Sequence, residues 1–343
     1  MAIAAALGVA ACGSSTTVTK TGSAPSSSTG SSSTLVGAGS TLVAPLVSQW
    51  QAPYDKAAKV AVTYGAIGSG GGIAQITART VDFGASDAPL TSSEASACKD
   101  CVQIPWALAA TAIAYHVTGV PNNLKLTGPI LADIWLGKIT SWNDPKIKAL
   151  NPGVNLPATK IQPVYRTDAS GDTYAFTDYL SKISPTWKSQ VGNSTQVHFP
   201  VGLGGKGNSG VGGVLTSTNG SIAYIAIAYV VANKFDDALI QNAAGKYPVP
   251  GVSSISAAAA TVGSIPSDNK ISITDPPASA PGAYPISTFT YAIVPKSSPK
   301  ASTLKPFFSW AITTGQMYGP KLDFAPLPSK VVAADKTTIA SIT

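Results

Sequence analysis

Stretches rich in β-branched residues alternate along this chain with stretches whose apolar residues recur at helical spacing. The segment VAVTYGAIG (60–68) is typical of a strand that ends in glycine, and GGIAQITA (71–78) places Ile73 and Ile76 one helical turn apart. The pattern therefore predicts a strand, a glycine turn and a helix in that order.

The same alternation continues to the end of the chain. We predict strands at TVDF (80–83), ALAATAIAYHV (107–117, where the alanines also allow a helix) and STFTYAIVPK (287–296), and helices at ILADIWLGKI (130–139), TYAFTDYLSKI (173–183) and TLKPFFSWAIT (303–313). The segment SISAAAATV (254–262) is good helix material between loop residues. Such alternation predicts an α/β fold with helices on both faces of a mainly parallel sheet.

The first 34 residues differ from the rest in composition. MAIAAALGVAAC is apolar, too short to span a bilayer, and has small residues before Cys12, as the end of an export signal with a lipidation site would. No basic residue precedes the apolar stretch, and a frayed alanine-rich terminus is the alternative. Residues 13–34 are mostly Ser, Thr, Gly and Ala, which predicts a flexible tether and a folded body from about Leu35.

Composition and charge exclude some classes of function. The 343 residues are 44% hydrophobic and only 11% charged, which suffices for sizeable cores. The formal charge of +7 is spread along the chain without a run of Lys or Arg, whereas a nucleic-acid groove clusters its basic residues. We therefore expect no nucleic-acid partner.

Cys98 and Cys101 form a CKDC motif in a polar segment. In an exported protein such a close pair favours a local disulfide, with free thiols or a redox-active pair as alternatives. A zinc site needs two more ligands, and the only histidines, His116 and His198, stand apart in the sequence. We therefore predict a disulfide, no metal and no cofactor.

Three turns that combine glycine with a hydroxyl each precede a predicted helix. They contain Thr41, Ser69, and Ser170 with Gly171, and Arg166 comes shortly before the third. A helix start offers free backbone N–H groups and the positive end of the helix dipole. Each turn alone is compatible with an ordinary N-cap, but three of them beside one arginine favour a site for a tetrahedral anion.

A nucleotide site is disfavoured by the details of GLGGKG (202–207). The motif has the spacing of a dinucleotide-binding loop, but no acidic residue follows at about twenty positions, where IAYIAIA lies instead. A phosphate loop of nucleotide hydrolases needs Ser or Thr after the lysine, and Lys206 is followed by Gly207.

The chain resembles the phosphate-binding proteins that feed bacterial ABC phosphate importers. The resemblance runs through GAGSTLVAPLVSQW, YGAIGSGGGIAQI, TVDFGASDAPL, DIWLGKITSWNDPKIKALNPG, YRTDASGDTYAFTDYLS, GLGGKGNSGV and LDFAPLPSKVV. It implies a two-lobed periplasmic-binding-protein type II fold that closes on its ligand. Lobe one would comprise 35–107 and 286–343, and lobe two 108–285, with crossovers near Ala107 and Pro285.

The resemblance also implies a set of site residues. Phosphate contacts carry over to Thr41, Leu42, Ser69, Asp87, Arg166, Ser170 and Gly171. Asp168 would support Arg166. Leu42 stands where the family often has Phe, which leaves a contact through its backbone N–H intact. Asp172 stands where Thr is usual, and a carboxylate there would repel an anion unless it turned to solvent.

Asp87 suggests a basis for selectivity. Phosphate keeps an O–H near neutral pH that an ionised Asp87 would accept, whereas sulfate has none and would leave two acceptors facing each other. The alternative is that Asp87 only caps the turn before Pro89.

The resemblance further implies an exported, lipid-anchored monomer at the outer face of the cell membrane or in the periplasm. Its partners would be inorganic phosphate and the permease subunits of the transporter. Two other classes remain open. One is a hydrolase using Ser69, Ser86 or Ser170, which lacks a recognisable base in the sequence. The other is a binding protein for another oxyanion, or a sensor without a transport role.

Overall fold

The computed structural model describes residues 33–343. Cys12, the signal end and the tether up to residue 32 lie outside the described residues. The first strand begins at Ser33, two residues before the body start expected at Leu35, because Ser33 and Thr34 pair in parallel with Val60 and Ala61.

Strands and helices alternate through most of the described chain. The strands are β1 (Ser33–Gly39), β2 (Val60–Ala66), β3 (Phe83–Ser86), β4 (Cys101–His116), β5 (Lys125–Leu126), β6 (Gln162–Arg166), β7 (Leu203–Gly205), β8 (Ser221–Ala226), β9 (Asp236–Asp237), β10 (Leu239–Ile240) and β11 (Ser287–Pro295). The predicted strands at 60–68, 107–117 and 287–296 are confirmed. The strand predicted at TVDF begins only at Phe83, where the regular pairing with β1 starts. Asp82 also bonds to Val36, but its side chain rather than its carbonyl accepts the Val36 N–H.

The helices surround these strands. They are α1 (Ala44–Ala58), α2 (Ser69–Thr77), α3 (Ser92–Cys98), α4 (Gly128–Trp135), α5 (Pro145–Leu150), α6 (Gly171–Ile183), α7 (Pro185–Gln190), α8 (Gly207–Ser217), α9 (Ile227–Asn233), α10 (Val252–Ala259), α11 (Ala301–Ala311) and α12 (Ser329–Ala340), with two 3₁₀ helices at Thr314–Tyr318 and Pro320–Leu322. The helices predicted at 71–78, 130–139, 173–183, 254–262 and 303–313 are confirmed.

The main sheet has the order β2-β1-β3-β11-β4-β8-β6-β7, with β9 also paired to β4. Strands β1, β2 and β3 run parallel to one another, and so do β6, β7 and β8. β11 and β4 join these two parallel groups by antiparallel pairing. The α/β fold predicted from the sequence is thus confirmed, but the main sheet is mixed rather than mainly parallel, because β4 and β11 at its centre pair antiparallel with their neighbours.

One strand connects the two parts of the sheet. Residues 101–110 of β4 pair with β11, and residues 111–116 pair with β8. We call the part with β1, β2, β3 and β11 the first half, and the part with β6, β7 and β8 the second half.

Each half has its own aromatic core. Trp50 and Trp106 lie 5.3 Å apart between ring centroids in the first half, and Phe176 and Tyr224 lie 4.6 Å apart in the second. Such pairs stabilise a fold by about 0.5–1.5 kcal/mol each beyond their buried area.

Cys98 and Cys101 form a disulfide that joins the end of α3 to the start of β4. The guanidinium of Arg79 lies beside it, with Nη1 3.4 Å from Cys98 Sγ and 3.3 Å from Cys101 Sγ. Among residues 33–343, none of the helices combines the length and apolar character that crossing a membrane requires.

Candidate functional site

Two of the predicted helix starts lie side by side where the halves meet. Ser69 is the first residue of α2, and Ser170 is the N-cap of α6, whose hydroxyl accepts the Thr173 N–H at 3.3 Å. The Gly70 N–H donates to Ala169 O at 3.1 Å, so the two turns are in direct contact. The positive ends of two helix dipoles therefore meet at one place.

The turn that contains Thr41 differs from its prediction, which placed Thr41 at the start of a helix. Helix α1 begins at Ala44, three residues after Thr41, with Pro45 in its first turn. Ser40 accepts the N–H of Leu42 at 3.0 Å and that of Val43 at 3.3 Å on its hydroxyl. Ser40, which the sequence analysis missed, therefore organises this turn.

Asp87 directly follows β3 and is 1% exposed. Ser40 Oγ lies 2.6 Å from its Oδ1 and 2.7 Å from its Oδ2, and Ser69 Oγ lies 3.5 Å from Oδ2. The local turn is held instead by Ser86, which donates to Ala88 O at 2.6 Å. The carboxyl of Asp87 thus contacts other segments rather than capping the turn before Pro89.

Arg166 ends β6, and its side chain is 1% exposed. Its Nε donates to Asp168 Oδ1 at 2.8 Å and its Nη2 to Asp168 Oδ2 at 2.5 Å. Its Nη1 donates to Asp172 Oδ2 at 3.0 Å. Two carboxylates therefore fix the plane and direction of the guanidinium.

Asp172 is fully buried in the first turn of α6 and is not turned to solvent. Its Oδ1 accepts from Thr111 Oγ1 at 2.9 Å, and its Oδ2 accepts from Asn208 Nδ2 at 2.8 Å. The repulsion expected of this carboxylate is thus offset by Arg166 and by two neutral donors. Neither Thr111 nor Asn208 was predicted from the sequence. In the structure, Gly207 directly before Asn208 has a positive φ of 65°, which marks a tight turn.

Direct contacts cross between the halves at this site. The Gly171 N–H donates to Ser69 Oγ at 3.0 Å, and the Asp87 N–H donates to the same oxygen at 3.2 Å. Thr41 accepts from Asn208 Nδ2 at 2.9 Å. The structure therefore brings Thr41, Ser69 and Gly171 into hydrogen bonds between the halves. The bond between Asp87 and Ser69 lies within the first half, and the Leu42 N–H is engaged within its own turn.

A cavity of about 240 Å³ opens beside these contacts, lined by residues of both halves, among them Thr41, Asp168, Lys206, Asn208 and Tyr229. Lys206 is exposed and contributes a positive charge to the cavity lining. The cavity therefore reaches Thr41 and Asn208 next to a basic side chain, whereas Asp87 and Arg166 are not among its lining residues.

Burial and the Asp172 charge raise the pKa of Asp87 to about 8, against the lowering effect of the Ser40 hydrogen bond and of Arg166. Burial also raises the pKa of Asp172. These causes favour the protonated form of Asp87 in this arrangement, and the ionised form expected from the sequence stays a prediction for the phosphate complex.

Arg166 and Asp168 behave as an ion pair. Burial by itself would lower the pKa of Arg166, but the hydrogen bonds to Asp168 and the charges of Asp172 and Asp168 raise it above its ordinary value. Burial would likewise raise the pKa of Asp168, yet Arg166 holds it below its usual range. Arg166 stays charged beside a proton-bearing Asp87.

The site combines backbone N–H groups at helix starts, hydroxyls and one guanidinium, which are groups that can hold an anion, with the carboxyls of Asp87, Asp168 and Asp172. His116 lies elsewhere, with Nδ1 3.1 Å from Leu215 O. Within residues 33–343, His, Cys, Asp and Glu side chains form no group that would hold a metal ion.

The sequence of this chain matches known proteins over most of its length. The family model of the PBP superfamily domain matches residues 23–314. The phosphate-binding protein PstS of Xylella fastidiosa (strain Temecula1) is 43% identical over 313 residues, covering 90% of this chain and 85% of the relative. The chain belongs to the PstS family of the PBP superfamily. The PstS protein of Haemophilus influenzae is 38% identical over 315 residues, covering 88% of this chain and 91% of its own.

Solved structures share the PstS-family fold. A high-affinity periplasmic phosphate-binding protein (PfluDING), solved with phosphate, superposes with a TM-score of 0.71 at 21% identity, covering 89% of this chain and 93% of its own. A phosphate-binding protein from Stenotrophomonas maltophilia gives a TM-score of 0.72 at 18% identity, with the same coverage of 89% and 93%. These neighbours confirm the two-domain periplasmic-binding-protein-like α/β fold.

Proposed function

We propose that this chain binds inorganic phosphate between its two halves and delivers it to the permease subunits of an ABC phosphate importer. The observation that carries the proposal is the meeting of the starts of α2 and α6 with the buried Arg166 and Asp87. The names of the PstS relatives and the phosphate in the PfluDING structure support the same ligand.

Donors for the anion come from both halves. We assign contacts with the anion to Thr41, Leu42 and Ser69 in the first half and to Ser170 and Gly171 in the second. The N–H groups of Leu42 and Gly171 donate to Ser40 Oγ and Ser69 Oγ, and they would exchange these acceptors for the anion on binding. Three of the five N–H groups of Arg166 bond to Asp168 and Asp172, which leaves two for an anion among the described contacts. Ligand contacts to both halves favour the closed arrangement.

Asp87 governs the proton in the complex. The phosphate dianion and a protonated Asp87 form the same hydrogen bond as the monoanion and an ionised Asp87. A sulfate ion brings no proton, so it binds only while Asp87 supplies one. Asp87 is thus a selectivity residue, and the preference for phosphate over sulfate that it provides depends on pH.

The halves correspond to lobes that hinge on ligand binding. We assign lobe one to 35–107 and 286–343 and lobe two to 108–285, and the change of β4 pairing between Ala110 and Thr111 supports a crossover in this region. Closure of the lobes is the signal that a permease would detect. The chain acts as a monomer, and no chemical step is part of this role.

The first residues place the protein at its transporter. Export followed by lipidation of Cys12 would anchor the chain at the outer face of the membrane, and the residues up to 34 would serve as a tether. Anchoring raises the effective concentration of the loaded protein at the permease.

Calorimetric titration of the full chain with inorganic phosphate, and then with sulfate, tests this proposal. At pH 9 we expect saturable binding of one phosphate and a much weaker response to sulfate, with phosphate binding lost in Arg166→Gln. A chain that binds neither anion, or both equally at pH 9, would disprove the proposed ligand.

A further inference from the structure

Asn208 is a fully buried polar residue near the start of α8, in the second half. Its side-chain Oδ1 accepts the Ala226 N–H at 2.9 Å, which ties α8 to the end of β8. Its Nδ2 donates to Thr41 Oγ1 at 2.9 Å and to Asp172 Oδ2 at 2.8 Å. Both amide hydrogens and the amide oxygen are therefore used.

These partners fix the orientation of the amide. A flipped amide would place its NH₂ group against the Ala226 N–H and its oxygen against the Asp172 carboxylate. Both contacts would be repulsive, so the donor side faces Thr41 and Asp172.

The contact also fixes the hydroxyl of Thr41. Thr41 Oγ1 accepts from Asn208 Nδ2 and, at 3.3 Å, from the Asn208 backbone N–H. With its oxygen accepting two hydrogen bonds, the hydroxyl hydrogen of Thr41 is left to point elsewhere. Thr41 is thus held as a donor by a residue of the opposite half.

We propose that Asn208 is a latch between the halves: a positioning residue that holds the closed arrangement and orients Thr41 and Asp172 together. No other side chain in the described part of the site bonds to both Thr41 and the Arg166–Asp172 pair. The latch itself concerns closure, and its effect on ligand retention rests on the proposed phosphate binding.

Amide hydrogen exchange without phosphate tests the latch directly. The Gly70 N–H donates to Ala169 O, and the Gly171 N–H donates to Ser69 Oγ, so both amides exchange when the halves separate. We expect Asn208→Ala to lower their protection about 10- to 100-fold. Amides of the β4–β8 pairing should keep their protection, because they lie within the second half.

Two further variants separate latching from general stability. Thr41→Val removes the acceptor with little change of shape, and its effect on Gly70 and Gly171 should not add to that of Asn208→Ala. Asn242→Ala is the matched control, since Asn242 is a buried amide that donates to Pro281 O and Ala283 O, away from the site. Any of three results would overturn the latch. The effects of Thr41→Val and Asn208→Ala could add, Asn242→Ala could lose as much protection at Gly70 and Gly171 as Asn208→Ala does, or exchange in Asn208→Ala could be unchanged.

Stopped-flow kinetics with inorganic phosphate tests the effect of the latch on ligand retention. In Asn208→Ala we expect the dissociation rate to rise about 10-fold while the association rate stays within about 2-fold, because opening limits release. A dissociation rate equal to that of the unmodified chain would overturn the effect on retention. A chain that binds no phosphate at all would overturn the proposed function, and the exchange result would still decide the latch.

Discussion

Gly171 and Asp87 pack against each other from opposite halves so closely that no side chain fits between them. A Cβ built on Gly171 would lie 2.7 Å from Asp87 Cα, which is closer than Cβ atoms approach other atoms in proteins. The Gly171 N–H reaches Ser69 Oγ from the same position. Because Gly171 has no side chain, the start of α6 can lie against Asp87, which directly follows β3.

Replacing Gly171 by alanine should therefore hold the halves apart. We expect phosphate affinity to fall at least about 100-fold, since donors from the two halves would no longer reach one anion together, with little loss of stability in either half. Calorimetric titration measures the effect. Gly213→Ala is the control, because a Cβ there meets nothing within 4 Å and a helical alanine is favourable. Equal affinity of the Gly171 variant would contradict the close packing as a requirement.

The selectivity of the site should increase with pH. Below pH 8 the protonated Asp87 donates to either anion, and above its pKa of about 8 only an anion that carries a hydrogen keeps this bond. We expect sulfate affinity to fall up to about tenfold per pH unit above 8 while phosphate affinity stays nearly level. Competition titrations between pH 7 and 9.5 measure the ratio. In Asp87→Asn the ratio of phosphate affinity to sulfate affinity should not change with pH. If this ratio did not change with pH in the unmodified chain either, Asp87 would not be the selectivity residue.

Asp335 should destabilise the fold in alkaline solution. It is fully buried on α12 without a hydrogen-bond partner for either oxygen among the described residues, and burial raises its pKa to about 9. The folded state therefore keeps a proton that the unfolded chain releases near pH 4, and stability falls as pH rises from about 4 to 9.

Asp335→Asn should remove this loss. We expect it to be about 5 kcal/mol more stable than the unmodified chain at pH 8 and similar at pH 4, since one proton is worth about 1.4 kcal/mol for each pH unit in this range. Urea unfolding at the two pH values gives the comparison, with Asp55→Asn on the exposed face of α1 as control. A destabilised Asn variant at pH 8 would show that the buried carboxyl has a favourable partner.

The disulfide should contribute to stability without affecting the ligand. Joining Cys98 to Cys101 closes a very short loop, for which the chain-entropy relation gives about 2 kcal/mol. We expect the double variant Cys98→Ala and Cys101→Ala to lose about this much in urea unfolding and to bind phosphate within about 2-fold of the unmodified chain. A large loss of affinity would mean that the α3–β4 connection also positions the site.

The local pattern of the sequence located under half of the strands and helices, and it did not reveal contacts between distant residues. Helical spacing and glycine turns located α2 and α6, and the family resemblance indicated Asp87. The choice between Ser40 and Thr41 as the organiser of the first turn was beyond the pattern, because Ser and Thr are both favoured near helix starts and neither is the N-cap of α1. Asn208 meets Thr41 across 167 positions of sequence, and only the folded chain shows this.

The direction of Asp172 was equally hidden. A residue in the first turn of a helix faces solvent or the interior depending on how the helix packs, and its charge alone favours solvent. Its burial follows from Arg166, Thr111 and Asn208, which lie on three other segments. Short strands such as β9 and β10 also escaped prediction, because two residues carry no period.

The most direct measurement is a crystal structure of this chain with inorganic phosphate. We expect one phosphate between the halves, with oxygens within about 3.2 Å of the Arg166 guanidinium, the Gly171 N–H and the Asp87 carboxyl, in a bond that shares one proton. A phosphate bound elsewhere, for example in the surface groove beside Lys270 and Lys296, with the Arg166 site free of anion, would contradict the account.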